Sequence, residues 1–402
     1  MLLRSFGPSR SWLLLFGCAA AAMGWPSAAS RAADAADAAP PFTLFAGRIL
    51  RPDGTFDTGV GVVVHEGKIK QLVKEEETHG QEVRRFDAQA VVCPGLIDVL
   101  SSVGLDPRGM ASTEVLDPDI SAASVVDPHA EELHAALRAG ITTVMVAPEP
   151  GSLVSGVPVS FRTHVADGQL DILRDDGPLL FAFGAGAWRQ DRPPTSRAGG
   201  VYELRKLLEQ AGQGAGHPRV RAAVAQQLDS LIVCGTASDV RAARGVLGDV
   251  ADRMTLVHTT DALDVSAELK GLARPVVVGP YSFASTRRVM MGAAALSRAG
   301  LEVVFSGGFP KGSPESLRIT AALAVRHGLD PAAARRAMTT GPAQVAGVAD
   351  RVGSLVPGRD ADLVVFSHDP LRLDASVLEV YVKGVRVYAA RNSEPQMAGA
   401  GS

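Results

Sequence analysis

Short apolar runs and helix-like stretches alternate through the middle of this chain, and that alternation limits the folds open to it. Ile141–Ala147 is a continuous run rich in β-branched residues, which is typical of a strand buried on both faces. Tyr202–Ala211 has the spacing of an amphipathic helix and ends at Gly212. Similar runs follow one another at Ile97–Leu100, Pro128–Ala139, Leu179–Phe183, Leu228–Val233, Ala237–Leu247, Met254–His258, Ala262–Leu272, Pro275–Val278, Thr286–Arg298, Leu301–Phe305, Pro314–His327 and Pro331–Thr339.

Strand–helix alternation of this length predicts a (β/α)₈ TIM-type barrel. The alternative is a doubly wound open sheet. No glycine fingerprint follows the first strand-like run, so the residues give no support for a nucleotide-binding sheet.

The two ends of the chain have a different, β-rich texture. Gly59–His65 and Lys68–Val73 are separated by Glu66-Gly67, and Val377–Val382 and Val385–Tyr388 are separated by Lys383-Gly384. Both patterns are typical of hairpins. We therefore predict a small β-sandwich domain formed by both termini, with two unrelated edge hairpins as the alternative. The predicted boundaries are residues 42–92 and 348–390 for this domain and 93–347 for the barrel.

The first residues are typical of an export signal. Arg4 and Arg10 precede the apolar run Trp12–Met23, and small residues follow it. We predict a signal peptide over 1–33, a linker over 34–41 and a disordered tail over 391–402, which places the mature protein in the periplasm or outside the cell. The apolar run is too short for a comfortable membrane span. A lipid anchor at Cys18 is the weaker alternative, because its flanking residues fit a lipoprotein signal poorly.

The net charge and the cysteine content bear on nucleic acid binding and on disulfide formation. A net charge of −3 gives no electrostatic attraction to nucleic acid, so none is predicted. Cys93 and Cys234 would remain after signal cleavage, and two cysteines do not make a disulfide scaffold. In a barrel they would lie at opposite ends, beyond the roughly 7 Å between Cα atoms that a disulfide allows, so both are expected to be free.

Three separated stretches resemble the amidohydrolase superfamily, in its imidazolonepropionase-like branch. Pro94–Asp98 reads P-G-L-I-D, and Ala139–Val144 reads A-G-I-T-T-V. Gly353–Val364 is similar to the closing signature G-S-L-x-P-G-x-D-A-D-L-V almost residue for residue. The resemblance implies a metal-dependent hydrolase fold, with a β-sandwich flanking the barrel. It also implies one or two divalent metals at the carboxyl ends of the strands, where they activate water to hydrolyse C–N bonds.

The metal ligands that the resemblance implies are mostly replaced. The first strand should end in H-x-H, but these positions hold Leu100 and Ser102. The fifth strand should end in histidine and holds Cys234, whereas the sixth keeps His258. The eighth should end in a catalytic aspartate, and Ser306-Gly307-Gly308 places glycine there. Because a catalytic zinc needs three protein ligands and a water, this set predicts no working metal centre.

The sequence therefore predicts a relative that has lost metal-dependent hydrolysis and keeps a binding or scaffold role for an unidentified small molecule. No catalytic residue and no cofactor are assigned. His258 and Cys234 are the residual metal positions, and Ser102, Cys234, His258 and Ser306 are predicted to line the pocket. Self-association as a homo-oligomer is compatible with this reading.

Two alternatives stay open. One is an active amidohydrolase that uses zinc or another divalent metal at His258 on a cyclic amide, imide or peptide-like substrate. The other is a reactive Cys234–His258 pair, set against the simpler hypothesis that Cys234 is a small apolar residue and His258 bonds to a neighbour.

Residues 149–200 are expected to supply loops over the barrel mouth. In that position Arg162 and His164 could meet an anionic or aromatic ligand, although exposed arginines are usually solvated surface.

Overall fold

A computed structural model of the protein describes residues 41–77, 82–106, 114–184, 186–391 and 396–397. The predicted signal peptide, Cys18 and nearly all of the predicted linker lie outside the described residues. Within the described ranges, no helix combines the length and the apolar character needed to cross a bilayer.

The strands are distributed over the whole described chain. They are β1 (Phe42–Phe45), β2 (Arg48–Leu50), β3 (Phe56–Asp57), β4 (Val60–His65), β5 (Lys68–Lys74), β6 (Glu82–Arg85), β7 (Val91–Pro94), β8 (Leu96–Ser101), β9 (Ile141–Val146), β10 (Val154–Gly156), β11 (Val159–Ala166), β12 (Gln169–Arg174), β13 (Leu179–Phe183), β14 (Ser230–Cys234), β15 (Thr255–Val257), β16 (Val276–Val278), β17 (Val303–Phe305), β18 (Leu363–Phe366), β19 (Val377–Val382), β20 (Val385–Ala389) and β21 (Gln396–Met397).

The helices fall between the first and last groups of strands. They are α1 (Glu131–Arg138), α2 (Arg197–Gly212), α3 (Pro218–Val224), α4 (Ala237–Leu247), α5 (Ala262–Val265), α6 (Arg287–Met290), α7 (Gly292–Arg298), α8 (Ser316–Arg326), α9 (Pro331–Arg336) and α10 (Thr340–Ala346). Short 3₁₀ turns cover Glu75–Glu77, Ala122–Ser124 and Gly248–Arg253. The predicted mixture of strands and helices is confirmed.

Strands from the two ends of the chain share one sheet. Its order is β20-β19-β18-β7-β2-β3, and β7 pairs with β18 in antiparallel register, with Cys93 opposite Val364. A second sheet has the order β21-β6-β1-β4-β5. Leu44 and Val62 of the second sheet belong to the same buried cluster as Val92 and Val365 of the first, so the two sheets share a core.

The middle of the chain forms two further sheets. In one, β13, β14, β15, β16 and β17 run parallel, and β10 is antiparallel to β13. In the other, β8 and β9 are parallel and β11 is antiparallel to β9. The segment after α9 lies between them, because the backbone N–H groups of Ile97 and Phe305 donate to the carbonyls of Met338 and Ala337.

A buried apolar cluster lies between the strands of these two sheets. On each strand every second side chain points into this cluster, because successive side chains of a strand point to opposite faces of the sheet. The fully buried members on β8, β9, β13, β14, β16 and β17 are Ile97, Val99, Met145, Leu180, Leu231, Val277 and Val304. Leu100, Val233 and Val257, which lie at the carboxyl ends of their strands, are partly buried against the same cluster. The apolar filling thus extends to the edge where a metal centre is expected.

The expectation of loops over residues 149–200 is wrong for much of this range. Residues 154–174 form strands β10, β11 and β12, of which β11 and β12 are a hairpin beside β9. Val159 and Phe161 face the main core and are fully buried, which holds β11 in the sheet despite its charged residues.

Arg162 therefore does not line a ligand pocket. Its side chain is completely buried, and its three guanidinium nitrogens bind Asp362 at 2.7 Å, Asp360 at 2.6 Å and Asp171 at 2.9 Å. Burial lowers the pKa of the guanidinium, but these carboxylates raise it further than burial lowers it, so Arg162 is charged. Arg351 adds two bonds to Asp360, at 2.8 and 3.0 Å. The D-A-D of the closing signature thus ties the strand that follows it to β11.

Candidate active site at the strand ends

Asp98 is the acidic residue nearest the end of β8, and it holds the neighbouring loop. It is 1 % exposed, and its Oδ1 accepts the backbone N–H of Gly307 at 2.6 Å. Its other oxygen is buried and has no hydrogen-bond partner. Burial raises the pKa of this carboxyl to about 7, although hydrogen bonds from the backbone of Gly307 and Phe309 lower it. The carboxylate is used to join β8 to the segment after β17.

The two positions expected to hold histidines on β8 serve packing and backbone contacts. Leu100 has φ +58°, in the left-handed region that bulky side chains rarely adopt, and the β8–β9 register shifts around it. Its side chain packs against the inner apolar cluster. The backbone N–H of Ser102 donates to the carbonyl of Phe309 at 3.3 Å, and the hydroxyl of Ser101 donates to the same carbonyl at 2.9 Å. The end of β8 is therefore bonded to the loop after β17.

Glycine at the eighth strand end permits this close approach. A Cβ on Gly307 would lie 3.0 Å from Oδ2 of Asp98 and 3.0 Å from the backbone nitrogen of Leu317. An aspartate at this position would bring a second carboxylate against the first. The neighbouring Ser306 is 6 % exposed, and its backbone N–H donates to the carbonyl of Val278. Neither Ser306 nor Gly307 supplies the carboxylate base that metal-dependent hydrolysis needs at this strand end.

Cys234 ends β14 with its side chain among apolar residues of the adjoining helix. It is 4 % exposed and lines a small cavity together with Val240 and Leu247 of α4 and Leu256 of β15. Burial raises the pKa of its thiol to about 12. A thiol in this setting is neutral at physiological pH, and neither a metal ligand nor a nucleophile acts in that form.

His258 lies across the ends of two strands. It is 1 % exposed, and its Nδ1 lies 2.9 Å from the carbonyl oxygen of Cys234. Since a carbonyl only accepts, Nδ1 carries the proton and Nε2 of the neutral ring holds a lone pair. Nε2 is buried without a partner. The imidazole thus contacts the backbone of Cys234 and not its thiol.

Thr259 continues the same pattern of backbone contacts. Its hydroxyl donates to the carbonyl of Gly279 and accepts the N–H of the same residue, both at 3.0 Å. This ties the end of β15 to the end of β16. The polar side chains of Asp98, Ser101, His258 and Thr259 therefore each bond to the backbone of a neighbouring element.

All four predicted pocket residues follow or end parallel strands, but their side chains are not joined. Ser102 follows β8, Cys234 ends β14, His258 follows β15 and Ser306 follows β17. Within the described ranges, no side chain–side chain hydrogen bond links any two of them, and Cys234 contributes its carbonyl to the one contact between the predicted pair.

These residues do not fit the metal that the fold family implies. Across the part of the chain that the structure describes, no group of three or more histidine, cysteine or acidic side chains is placed to hold a metal ion. His258 offers one imidazole nitrogen, and the remaining positions offer Leu100, a buried neutral thiol and a glycine. His164 on β11 is half-buried and lies away from this set. Burial and the neighbouring His134 lower its pKa.

Sequence reasoning missed the roles of Asp98 and Arg162. Asp98 was treated only as part of a motif, although an acid inside an apolar strand is itself a signal, because buried carboxylates need partners. Arg162 gave the same signal inside the β-like run 159–165. Two of its three partners, Asp360 and Asp362, are 198 and 200 residues away and lie in the closing signature.

Comparisons with known proteins agree in fold. Residues 296–388 match the model of a family described as the amidohydrolase family. Over 85 residues the chain is 33 % identical to amidohydrolase tasK of Hapsidospora irregularis, a segment that makes up 21 % of this chain and 9 % of that protein. The match therefore spans only a small part of that relative's length.

Two solved structures extend the likeness over most of the chain. The crystal structure of an amidohydrolase from Thermotoga maritima MSB8 superposes with a TM-score of 0.76 at 23 % identity, covering 87 % of this chain and 100 % of that one. An adenosine deaminase from Xanthomonas campestris with bound zinc superposes with a TM-score of 0.51 at 19 % identity, covering 88 % of this chain and 94 % of that one. At these identities the likeness concerns the fold.

Proposed function

We propose that this chain, whose residues 296–388 match the amidohydrolase family, has lost metal-dependent C–N bond hydrolysis and uses its barrel for binding or as a scaffold. The observation that carries this proposal is the use of the polar groups at the strand ends. Asp98 and His258 bond to backbone atoms of Gly307 and Cys234, and Leu100 packs into the apolar cluster.

Metal-dependent hydrolysis requires a set of metal ligands and a base that these residues do not supply. A catalytic metal needs about three protein ligands and an open position for water, together with a base that takes the proton of that water. Among the described strand-end residues, Nε2 of His258 and Oδ2 of Asp98 are the buried ligand atoms free of other bonds. One imidazole nitrogen and one carboxylate oxygen are fewer than the three protein ligands that a catalytic metal needs. The carboxylate of Asp98 is bonded to the backbone N–H of Gly307, and Gly307 itself offers no side chain as a base.

The architecture we propose is a closed (β/α)₈-type barrel beside a small β-sandwich built from both termini. The pairing of β7 with β18 and the core shared by the two terminal sheets support the sandwich. The bonds from Ile97 and Phe305 to Met338 and Ala337 support closure of the barrel. We further propose that the protein is exported, because Arg4, Arg10 and the apolar run after them are typical of a signal peptide.

A second candidate function has one observation in its favour. The unpartnered Nε2 of His258 has the lone pair of a metal-ligating imidazole. In this candidate, zinc or another divalent ion binds at His258 and supports hydrolysis of a cyclic amide, imide or peptide-like substrate.

Metal content distinguishes the two candidates. Zinc, manganese, iron and nickel are measured in the purified mature protein, the His258→Ala variant and a control, His65→Ala, whose histidine lies on β4 near Glu66. The proposal predicts less than one tenth of an equivalent of metal in all three proteins. Hydrolysis of cyclic amides with added metal is measured alongside. Stoichiometric metal that is lost only in His258→Ala, together with turnover, would overturn the proposal in favour of the second candidate.

A further inference from the structure

Two adjoining cavities open at the opposite end of the parallel strands, beside their first residues. The first has a volume of about 140 Å³ and lies below the starts of β13 to β17, against Gln344 and Val345 of α10. The second has a volume of about 190 Å³ and lies between the start of β14 and the turn that precedes β15. The two share a wall formed by Asp229, Ser230, Ala273 and Arg274. Each is far larger than the roughly 10–15 Å³ that a single water requires.

Two hydroxyl groups that bond to no other described residue line the first cavity. Ser230 is 7 % exposed and Thr255 is 6 % exposed. Among the described residues, neither hydroxyl makes a hydrogen bond, and the backbone contacts of their strands use only N–H and C=O groups. Because both hydroxyls face the open cavity and bond to no protein group, they are free to hydrogen-bond a polar molecule there.

The two cavities carry opposite net charge. In the first, Glu302 has no ion pair within the described ranges, while Asp229 pairs with Arg274 at 2.5 Å. This leaves one carboxylate in excess. In the second, Arg253 joins Asp229 and Arg274, and its guanidinium donates to the side-chain carbonyl of Gln226. This leaves one guanidinium in excess.

We propose that the two cavities form one binding site for a small zwitterion whose ammonium and carboxylate groups are separated by a short chain. The ammonium lies beside Glu302, where the hydroxyls of Ser230 and Thr255 accept its remaining N–H bonds. The carboxylate lies in the second cavity and accepts hydrogen bonds from Arg253, since a guanidinium matches a carboxylate in shape and charge. The site faces away from the strand ends discussed above and does not depend on the proposed function.

Calorimetric titration of the full-length mature protein with γ-aminobutyrate tests this site. The two control ligands are n-butylamine and butyrate, each of which carries one of the two charges. Low ionic strength is used because salt screens exposed charges. We expect saturable binding of γ-aminobutyrate, with both control ligands binding about tenfold more weakly, as the loss of one charged contact implies.

Single substitutions assign the two ends of the ligand. Glu302→Gln should weaken γ-aminobutyrate and n-butylamine about five- to tenfold and leave butyrate unchanged. Arg253→Gln should weaken γ-aminobutyrate and butyrate and leave n-butylamine unchanged. Both side chains are exposed, so the variants should fold, and Arg205→Gln and Glu209→Gln on the exposed face of α2 serve as matched controls. Binding of γ-aminobutyrate that is no tighter than that of the control ligands, or that neither variant weakens, would overturn the proposal.

Discussion

The carboxylate of Asp98 and the backbone N–H of Gly307 meet at 2.6 Å and so connect the ends of β8 and β17. The resemblance to the amidohydrolase superfamily implies metal ligands at these two strand ends. In this protein β8 keeps Asp98, whereas the position after β17 is Gly307, which has no side chain. The carboxylate of Asp98 therefore accepts the backbone N–H of Gly307. The approach is possible only because residue 307 lacks a Cβ.

Restoring a side chain at residue 307 should destabilise the protein. Gly307→Ala places a Cβ 3.0 Å from Asp98 and from the backbone of Leu317, so we expect a loss of about 1–3 kcal/mol. Gly307→Asp should cost more, because its carboxylate faces Asp98. Denaturant unfolding measures both. Gly245→Ala on α4 is the control, since a Cβ there meets nothing within 4 Å, and it should stabilise by about 0.5–1 kcal/mol. Equal effects of the two alanine substitutions would contradict this account.

Asp98 should make stability depend on pH in a defined direction. Burial raises the pKa of this carboxyl from 3.8 to about 7, so the folded state holds its proton more tightly than the unfolded state. The contribution to stability is fully present below about pH 4 and is lost as the pH rises through about 7. Asp98→Asn keeps the acceptor for Gly307 and cannot ionise. The free energy of unfolding of Asp98→Asn should therefore rise relative to the unsubstituted protein between pH 5 and pH 8. Parallel pH profiles for the two proteins would show that Asp98 does not titrate in this range.

Breaking the buried cluster around Arg162 should cost far more than breaking a surface ion pair. Arg162→Met leaves the carboxylates of Asp360, Asp362 and Asp171 without their shared cation, so we expect a loss of about 3–5 kcal/mol. Arg162→Lys should recover only part of this loss, because an ammonium cannot reproduce the planar fork. The control is Arg189→Met, whose pair with Asp191 is exposed and should contribute about 0–1 kcal/mol. If Arg162→Met lowers the free energy of unfolding as little as the control does, the buried cluster does not stabilise the fold.

Cys234 should react slowly in the native protein. Burial raises the pKa of its thiol to about 12, so almost none is thiolate at pH 7.5. Alkylation by iodoacetamide, followed by peptide mass spectrometry, should modify Cys234 at well under a tenth of the rate of a free thiol, and at the ordinary rate in denaturant. The buried Cys93 should behave in the same way and provides an internal control. Rapid alkylation of Cys234 alone would revive the reactive-pair hypothesis.

The parallel strands could be predicted from the sequence because their apolar runs are typical of buried strands. Met254–His258 and Leu301–Phe305 were predicted as strands, and β15 and β17 lie within them. Continuous β-branched runs need burial on both faces, which a parallel sheet covered by helices provides. The exact ends of these strands could not be predicted as well, since a strand ends where its hydrogen-bonded neighbour ends.

The sequence did not predict that the hairpin β11–β12 belongs to a sheet next to β9. Arg162 and Asp171 suggest a solvated loop when the chain is read locally. Their burial depends on Asp360 and Asp362, far along the chain, and no periodicity encodes that pairing. Likewise, the replaced ligands could be identified from the resemblance, but the direction of the Cys234 side chain depends on strand register.

The cluster of Arg162 with Asp360 and Asp362 changes what the closing signature reports. These two aspartates belong to the run by which the chain resembles hydrolases, and in this molecule both bind Arg162 and so join the terminal sheets to β11. A requirement of folding alone would be enough to retain them in a chain that had lost turnover. The run therefore reports how the terminal sheets are attached to β11, and its presence in a chain does not by itself establish turnover.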